Sequence, residues 1–209
     1  MSVLRPLLAA VVVTALCVGL GVLVVGRGGP SQPPPQQTLA NVDTSRANVV
    51  RRPFCTRVDP AAVATALGGT PTAASSYGPG ENASVAPGVT DIADEYSCTW
   101  RGANGAEARA WLFDSAVPTD EARSLAARLP SGCQPADTST AERPEGPPAF
   151  GSVSSWAACT AAGQGPTTLI RGLFGSSWLS CSLTGGTGET AAAVSRRALR
   201  WCLVVVRAA

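Results

Sequence analysis

Cysteine placement constrains this chain more than any other feature. Cys55, Cys98, Cys133, Cys159, Cys181 and Cys202 all lie downstream of an uncharged run from Leu7 to Val25, while the seventh, Cys17, lies inside it. In a chain that carries an export signal, such an even set reads as disulfides formed in an oxidising space. The competing use is a thiolate metal site, but there is no Cys-x-x-Cys pair and no histidine, so no metal is expected. Many connectivities are formally open; pairing of sequence neighbours gives Cys55–Cys98, Cys133–Cys159 and Cys181–Cys202. Each of these would tie a helix end or loop to a strand.

Leu7 to Val25 is flanked by Arg5 and Arg27. As a helix it would span about 28 Å, close to the hydrocarbon thickness of a bilayer. No small-x-small exit follows it, and Leu16 before Cys17 does not fit a lipidation site, so the sequence predicts an uncleaved signal-anchor. Positive charge on the flanks orients it only thinly. The downstream cysteines decide the orientation, because they make sense only if the C-terminal part is exported. The organisation is then a short cytoplasmic N-terminus over 1–6, a transmembrane helix over 7–26, a Pro/Gly-rich linker over 27–53 and an extracytoplasmic domain over 54–209. Pro33-Pro34-Pro35-Gln36-Gln37 typifies the linker, a composition that favours extended polyproline conformation.

All sixteen basic residues are arginine. From Arg51 onward, thirteen Arg face thirteen Asp plus Glu, so the folded part is close to neutral. Nucleic acid, which needs clustered positive charge, is not an expected partner. The absence of histidine removes the commonest general base, and the absence of lysine removes Schiff-base chemistry. No catalytic residue and no cofactor are assigned, and the expectation is a protein that is not an enzyme.

Hydropathy patterning predicts an α+β fold. Tyr96, Cys98 and Trp100 alternate with Ser97, Thr99 and Arg101 at the two-residue period of a strand. Asn104-Gly105 marks a turn, and Ala106 to Phe113 reads as the return strand. Ser152 to Thr160, Thr167 to Phe174 and Trp178 to Thr184 read as three more strands. Asp59-Pro60 should open a short helix that ends at Gly68-Gly69, and Thr119 should cap a second with Asp120 and Glu121 in its first turn. Val194, Ala198, Trp201, Cys202 and Val205 recur at helical spacing in a third. The expected architecture is an antiparallel sheet of about five strands with helices packed on one face. Residues 70–91 read as a long loop. Cys98 and Phe113 are spaced like Cys159 and Phe174, which suggests an internal duplication of a two-stranded unit.

Three groups could carry function. Gly185-Gly186-Thr187-Gly188-Glu189-Thr190 sits between strand and helix, where amides could hold an anion, but a glycine turn followed by a helix cap is the preferred reading. Asp91, Asp94 and Glu95 form an acidic group with no calcium-loop spacing. Trp111 and Phe113 lie on the face of their strand opposite Ala108, Ala110 and Leu112, so either a helix covers them or they contribute to a binding surface.

Pro53-Phe54-Cys55, Leu67-Gly68, Tyr96-Ser97-Cys98-Thr99-Trp100, Gly172-Leu173-Phe174-Gly175 and Trp201-Cys202 resemble actinobacterial exported proteins of the DUF3558 type. The likeness covers most of residues 53 to 207. It implies a compact α+β domain outside the cell, with no known catalysis, and it transfers no functional residues. The expectation is therefore a non-enzymatic, membrane-anchored extracytoplasmic domain that binds a small ligand or an envelope partner. The alternatives are an accessory subunit of a membrane complex, a protein secreted after signal cleavage and an enzyme of unfamiliar type.

Overall fold

A computed structural model describes residues 37–39, 41–86, 88–130, 132–135, 150–159, 163 and 165–209. The expected N-terminus, membrane helix and first part of the linker lie outside these residues. The described residues fall in one compact unit, Gln37–Ala209.

The described residues of this unit form nine strands and three α-helices: α1 (Pro60–Leu67), β1 (Pro71–Tyr77), β2 (Asn82–Ala86), β3 (Val89–Ile92), β4 (Glu95–Gly102), β5 (Glu107–Phe113), α2 (Thr119–Ala127), β6 (Cys133–Pro135), β7 (Ser154–Cys159), β8 (Thr167–Phe174), β9 (Ser177–Thr184) and α3 (Ala191–Ala208). Seven strands form one sheet in the order β1-β4-β5-β9-β8-β7-β6, and every pairing is antiparallel. The expected five strands are all present, and the sheet gains β1 and the three-residue β6. The stretch 70–91 is thus not a loop. It supplies β1 and, through β2 paired with β3, a hairpin arm that extends the β1–β4 hairpin. Small polar residues in Pro71-Thr72-Ala73-Ala74-Ser75-Ser76-Tyr77 carry no apolar period, which hides an edge strand exposed along most of its length.

Register sorts the side chains onto two faces, because successive residues of a strand point in opposite directions. Cys98, Ala110, Cys181 and Ile170 stand opposite one another on the first face; Ser97, Trp111, Ser180 and Arg171 do so on the second. The first face is sealed. α3 lies on it with Val194, Ala198, Trp201, Cys202 and Val205 fully buried, as the helical period requires. Trp201 meets Trp100 edge to face at 5.4 Å, and its Nε1 donates to the Arg109 carbonyl. α1 packs against α3 and the same side of the sheet through Val63, Ala66 and Leu67. Its start is capped as expected: the Asp59 carboxylate accepts from the Ala61 amide, Pro60 occupies the first turn, and Gly68 closes the helix at φ 73°.

Helices do not share one face, however. α2 lies on the second face over β7 and β8, where Ala122 packs with Val117, Leu173 and Trp178 in a separate cluster. Pro118, not Thr119, occupies its N-cap position, and no side chain caps it. At its other end Arg171, a buried cation reaching up from β8, donates to the Arg128 carbonyl at 2.8 Å and to Ser155 Oγ at 3.2 Å. The negative end of the α2 dipole thereby offsets a guanidinium that has no carboxylate partner among the described residues.

Three disulfides join the predicted neighbours: Cys55–Cys98, Cys133–Cys159 and Cys181–Cys202. The first ties the 3-10 turn Cys55–Arg57 to β4, the second bridges directly opposed positions of β6 and β7, and the third fastens α3 to the first face. Such bridges belong to an oxidising, extracytoplasmic space, where each contributes about 2 to 4 kcal/mol.

Two further expectations change. The C-terminal part of the stretch predicted as spacer, 27–53, is not a spacer, because Leu39 and Val49 are buried in the main core. Leu39 N donates to the Leu199 carbonyl and Val50 N to that of Ala209, so this segment is laid along α3. The apparent duplication is not a structural repeat: Cys98 points to the first face and Cys159 to the second. The two hairpins differ by one residue in parity, which turns the corresponding side chains to opposite sides.

Candidate functional site

α2 covers only the β7–β8 side of the second face; among the described residues no helix packs across β1, β4 and β5 there. Two cross-strand rows traverse this open half. One reads Tyr77, Ser97, Trp111, Ser180; the other reads Ser75, Thr99, Arg109, Ser182. In the first row short hydroxyl residues alternate with long planar ones. Ser97, Thr99 and Ser180 are buried, whereas Tyr77, Arg109 and Trp111 are half-buried.

Contacts fix the long side chains relative to one another. Arg109 lies over the Trp111 ring, 5.1 Å from its centroid, a cation–π stack along one strand. Its Nη2 donates to the Tyr77 hydroxyl at 3.3 Å, and that hydroxyl donates to Glu95 Oε1 at 2.7 Å. Burial pushes the Glu95 carboxyl above its ordinary value, against the opposing pull of the Tyr77 hydrogen bond and the Arg109 charge. Glu95 thus faces a phenol and a guanidinium in a relay that is neutral as a unit. Nearby, Arg101 and Glu107 form a second compensated pair at 2.8 Å. Three buried polar atoms in this half have no hydrogen-bond partner among the described residues: Ser97 Oγ, Ser180 Oγ and Arg109 Nε. Unpartnered buried polar atoms are uncommon, and here they flank one indole.

Of the two residues singled out by patterning, the structure divides the roles. Trp111 belongs to the open half, while Phe113 packs against the α2 cluster and is a satellite core residue. Of the acidic group, Glu95 enters the relay, whereas Asp91 Oδ1 accepts only from the neighbouring Ile92 amide. Among the described residues no cluster of three candidate ligands could hold a metal ion. Tyr77, Arg109, Ser97 and Ser180 were not legible as site residues, since only pairing across four strands brings them together in two adjacent rows. The sole local signal was the polar half of each alternating strand, which reads equally as a solvated face.

The glycine-rich segment lines a different place, a cavity of about 480 Å³ shared with Asn104 and Glu107 at one end of the sheet. Gly185 N donates to the Pro166 carbonyl, Thr187 N to that of Asn104, and Glu189 N to that of Gly186. Gly186 is required by contact, because a Cβ there would lie 2.5 Å from Asn104 Nδ2. Glu189 also binds Arg197 across the first turn of α3. Half of the amides in this segment are thus tied to backbone carbonyls, and Glu189 places a carboxylate beside the start of α3, which disfavours an anion there.

No family model, curated protein or solved structure matches the chain. The geometry of the site is therefore the basis for a functional reading.

Proposed function

We propose that this chain is a non-enzymatic, membrane-tethered extracytoplasmic domain that binds a ligand or a cell-envelope partner on the open half of its second sheet face. The observation that carries the reading is the half-buried Trp111, held under Arg109 and between two unpartnered serine hydroxyls on a surface that α2 leaves uncovered. The other tryptophans are core residues: Trp178 and Trp201 are fully buried, and Trp100 and Trp156 pack half-buried against the main core. The disulfides and the resemblance to exported envelope proteins support the address. The uncharged run before the spacer supports the tether, although among the described residues no helix is long and apolar enough to cross a membrane.

A photo-reactive residue placed at Ser75, exposed on the second face, tests the site in cells; the same residue at Thr65, exposed on α1, is the control. An adduct that forms at Ser75, is absent at Thr65 and disappears with Trp111→Ala is the expected result. Equal labelling at both positions, or labelling indifferent to Trp111, would overturn the reading. Resistance of the full chain to alkaline carbonate extraction from membranes tests the tether separately.

The accessory-subunit reading draws on one feature. The β2–β3 arm exposes Val89 and Ile92, which are 51% and 60% accessible, and two-stranded arms gain little stability of their own. Adducts that concentrate on Val89 rather than Ser75 would favour that reading.

A further inference from the structure

We infer that the open half of the second face takes a neutral saccharide chain, laid across β4, β5 and β9 with one sugar ring on the Trp111 indole. The inference names the ligand class for the site proposed above and rests on that reading.

Charge is the first reason. Arg109 and Glu95 are linked through the Tyr77 hydroxyl, and Arg101 is paired with Glu107. Arg171, the remaining cation in the Trp111 row, is buried and committed to the end of α2. An anion placed here meets the Glu95 carboxylate and a cation meets Arg109, so the surface offers an ion no net attraction. A ligand without charge encounters no such penalty.

The hydrogen-bonding inventory is the second. Serine hydroxyls both donate and accept, a carboxylate only accepts, and a guanidinium only donates. Ser97 Oγ, Ser180 Oγ, Glu95 and the unpartnered Arg109 Nε thus surround Trp111 with a mixture of donors and acceptors. An apolar ligand would leave those atoms unsatisfied. Sugar hydroxyls match the mixture, because each of them can serve in either sense. Ser97 and Ser180 are buried, so neighbouring side chains must shift to admit a sugar hydroxyl to them.

Shape is the third. Among the described residues, two cavities of about 480 and 440 Å³ lie elsewhere, beside Asn104 and Gly185 and beside Val49 and Phe174. The second face is instead a sheet surface in which an indole stands among short side chains. An amphipathic ring with an apolar C–H face and an equator of hydroxyls suits an indole bordered by polar groups. An extended chain suits an open surface better than a small molecule that needs enclosure.

The test uses the oxidised full chain in lipid nanodiscs, titrated with linear neutral hexasaccharides (cellohexaose, maltohexaose and mannohexaose) and read by saturation-transfer NMR and tryptophan fluorescence. At least one should saturate with a Kd at or below about 1 mM. Its affinity should be unchanged between about 0.05 and 0.5 M NaCl, since no charge is being screened. Trp111→Ala should weaken it at least about tenfold. Ser97→Ala and Ser180→Ala, which delete a hydroxyl without altering the fold, should each weaken it several-fold. Failure of all three sugars overturns the inference, as does tight, salt-sensitive binding of a polyuronate in their place. So does full affinity in Trp111→Ala. If the sugars fail while the Trp111-dependent adduct at Ser75 still forms, the binding surface stands and the saccharide assignment alone falls.

Discussion

The two faces of one sheet have been built to different rules. On the first, each strand contributes Ala, Leu, Ile or Cys, and α1, α3 and the 37–58 segment close over them until Trp201, Phe54 and Leu179 are completely buried. On the second, the same strands contribute Ser, Thr, Arg, Tyr and Trp, and among the described residues a single nine-residue helix covers only one side. Stability is concentrated where apolar area is removed from water. The other face can afford unpartnered hydroxyls and a stacked guanidinium because little of the fold depends on it. Such a division of labour leaves a rigid platform on which binding groups can vary.

The largest expected effect breaks the contrast at its strong end. Trp201→Ala removes a fully buried ring that touches Trp100 across the first face, and it should cost about 3 to 5 kcal/mol in urea unfolding of the oxidised protein. A loss below about 1 kcal/mol would mean that the first face is not the main core. Next in size is Leu39→Ala, expected to cost about 2 to 4 kcal/mol because Leu39 is buried against α3. If residue 39 were part of a free spacer, the same variant would unfold at the wild-type midpoint.

At the weak end, Trp111→Ala should cost no more than about 1 kcal/mol, since its ring is half-buried and its main contact is a partly exposed cation–π stack. A loss as large as that of Trp201 would place Trp111 in a core and erase the distinction between the faces. The smallest effect sharpens the contrast through pH. Burial raises the folded-state pKa of Glu95 above its unfolded value. A carboxyl shifted in that direction favours folding at pH below its unfolded pKa, and this contribution is lost as pH rises through the folded pKa. Glu95→Gln keeps an acceptor for the Tyr77 hydroxyl and abolishes the titration. Relative to wild type, the variant should therefore gain stability as pH is raised through the carboxylate range, as read from thermal midpoints across that range. A gain in the opposite direction would show that the relay with Tyr77 and Arg109 outweighs desolvation.

Much of the first face was legible in order along the chain. Tyr96, Cys98 and Trp100, the Ala108-Ala110-Leu112 row and the Val194 to Val205 stripe each repeat at a period that one element can satisfy, so local pattern and tertiary burial agree. Pairing of neighbouring cysteines followed for the same reason, as each bridge joins elements that pack side by side. β1 and the 37–53 segment were misread because their burial depends on partners far away in sequence. Leu39 and Val49 have no periodic company, and β1 has almost no apolar residue to announce it. On the second face, Trp111 stood out as an apolar residue among polar ones, but Phe113 beside it carried the same signal and belongs to the α2 cluster.

By itself, the sequence determined what local chemistry can encode: helix ends such as Asp59-Pro60 and Gly68, strand alternation, and an even set of cysteines placed to pair as the disulfides of an oxidising space. Tertiary structure alone decided which polar residues would meet. Tyr77, Ser97, Trp111 and Ser180 come from four different strands and share a row only after β1, β4, β5 and β9 pair in register. The physical reason is that strand pairing is a non-local choice: a shift of one residue in any pair would turn half of that row to the other side of the sheet.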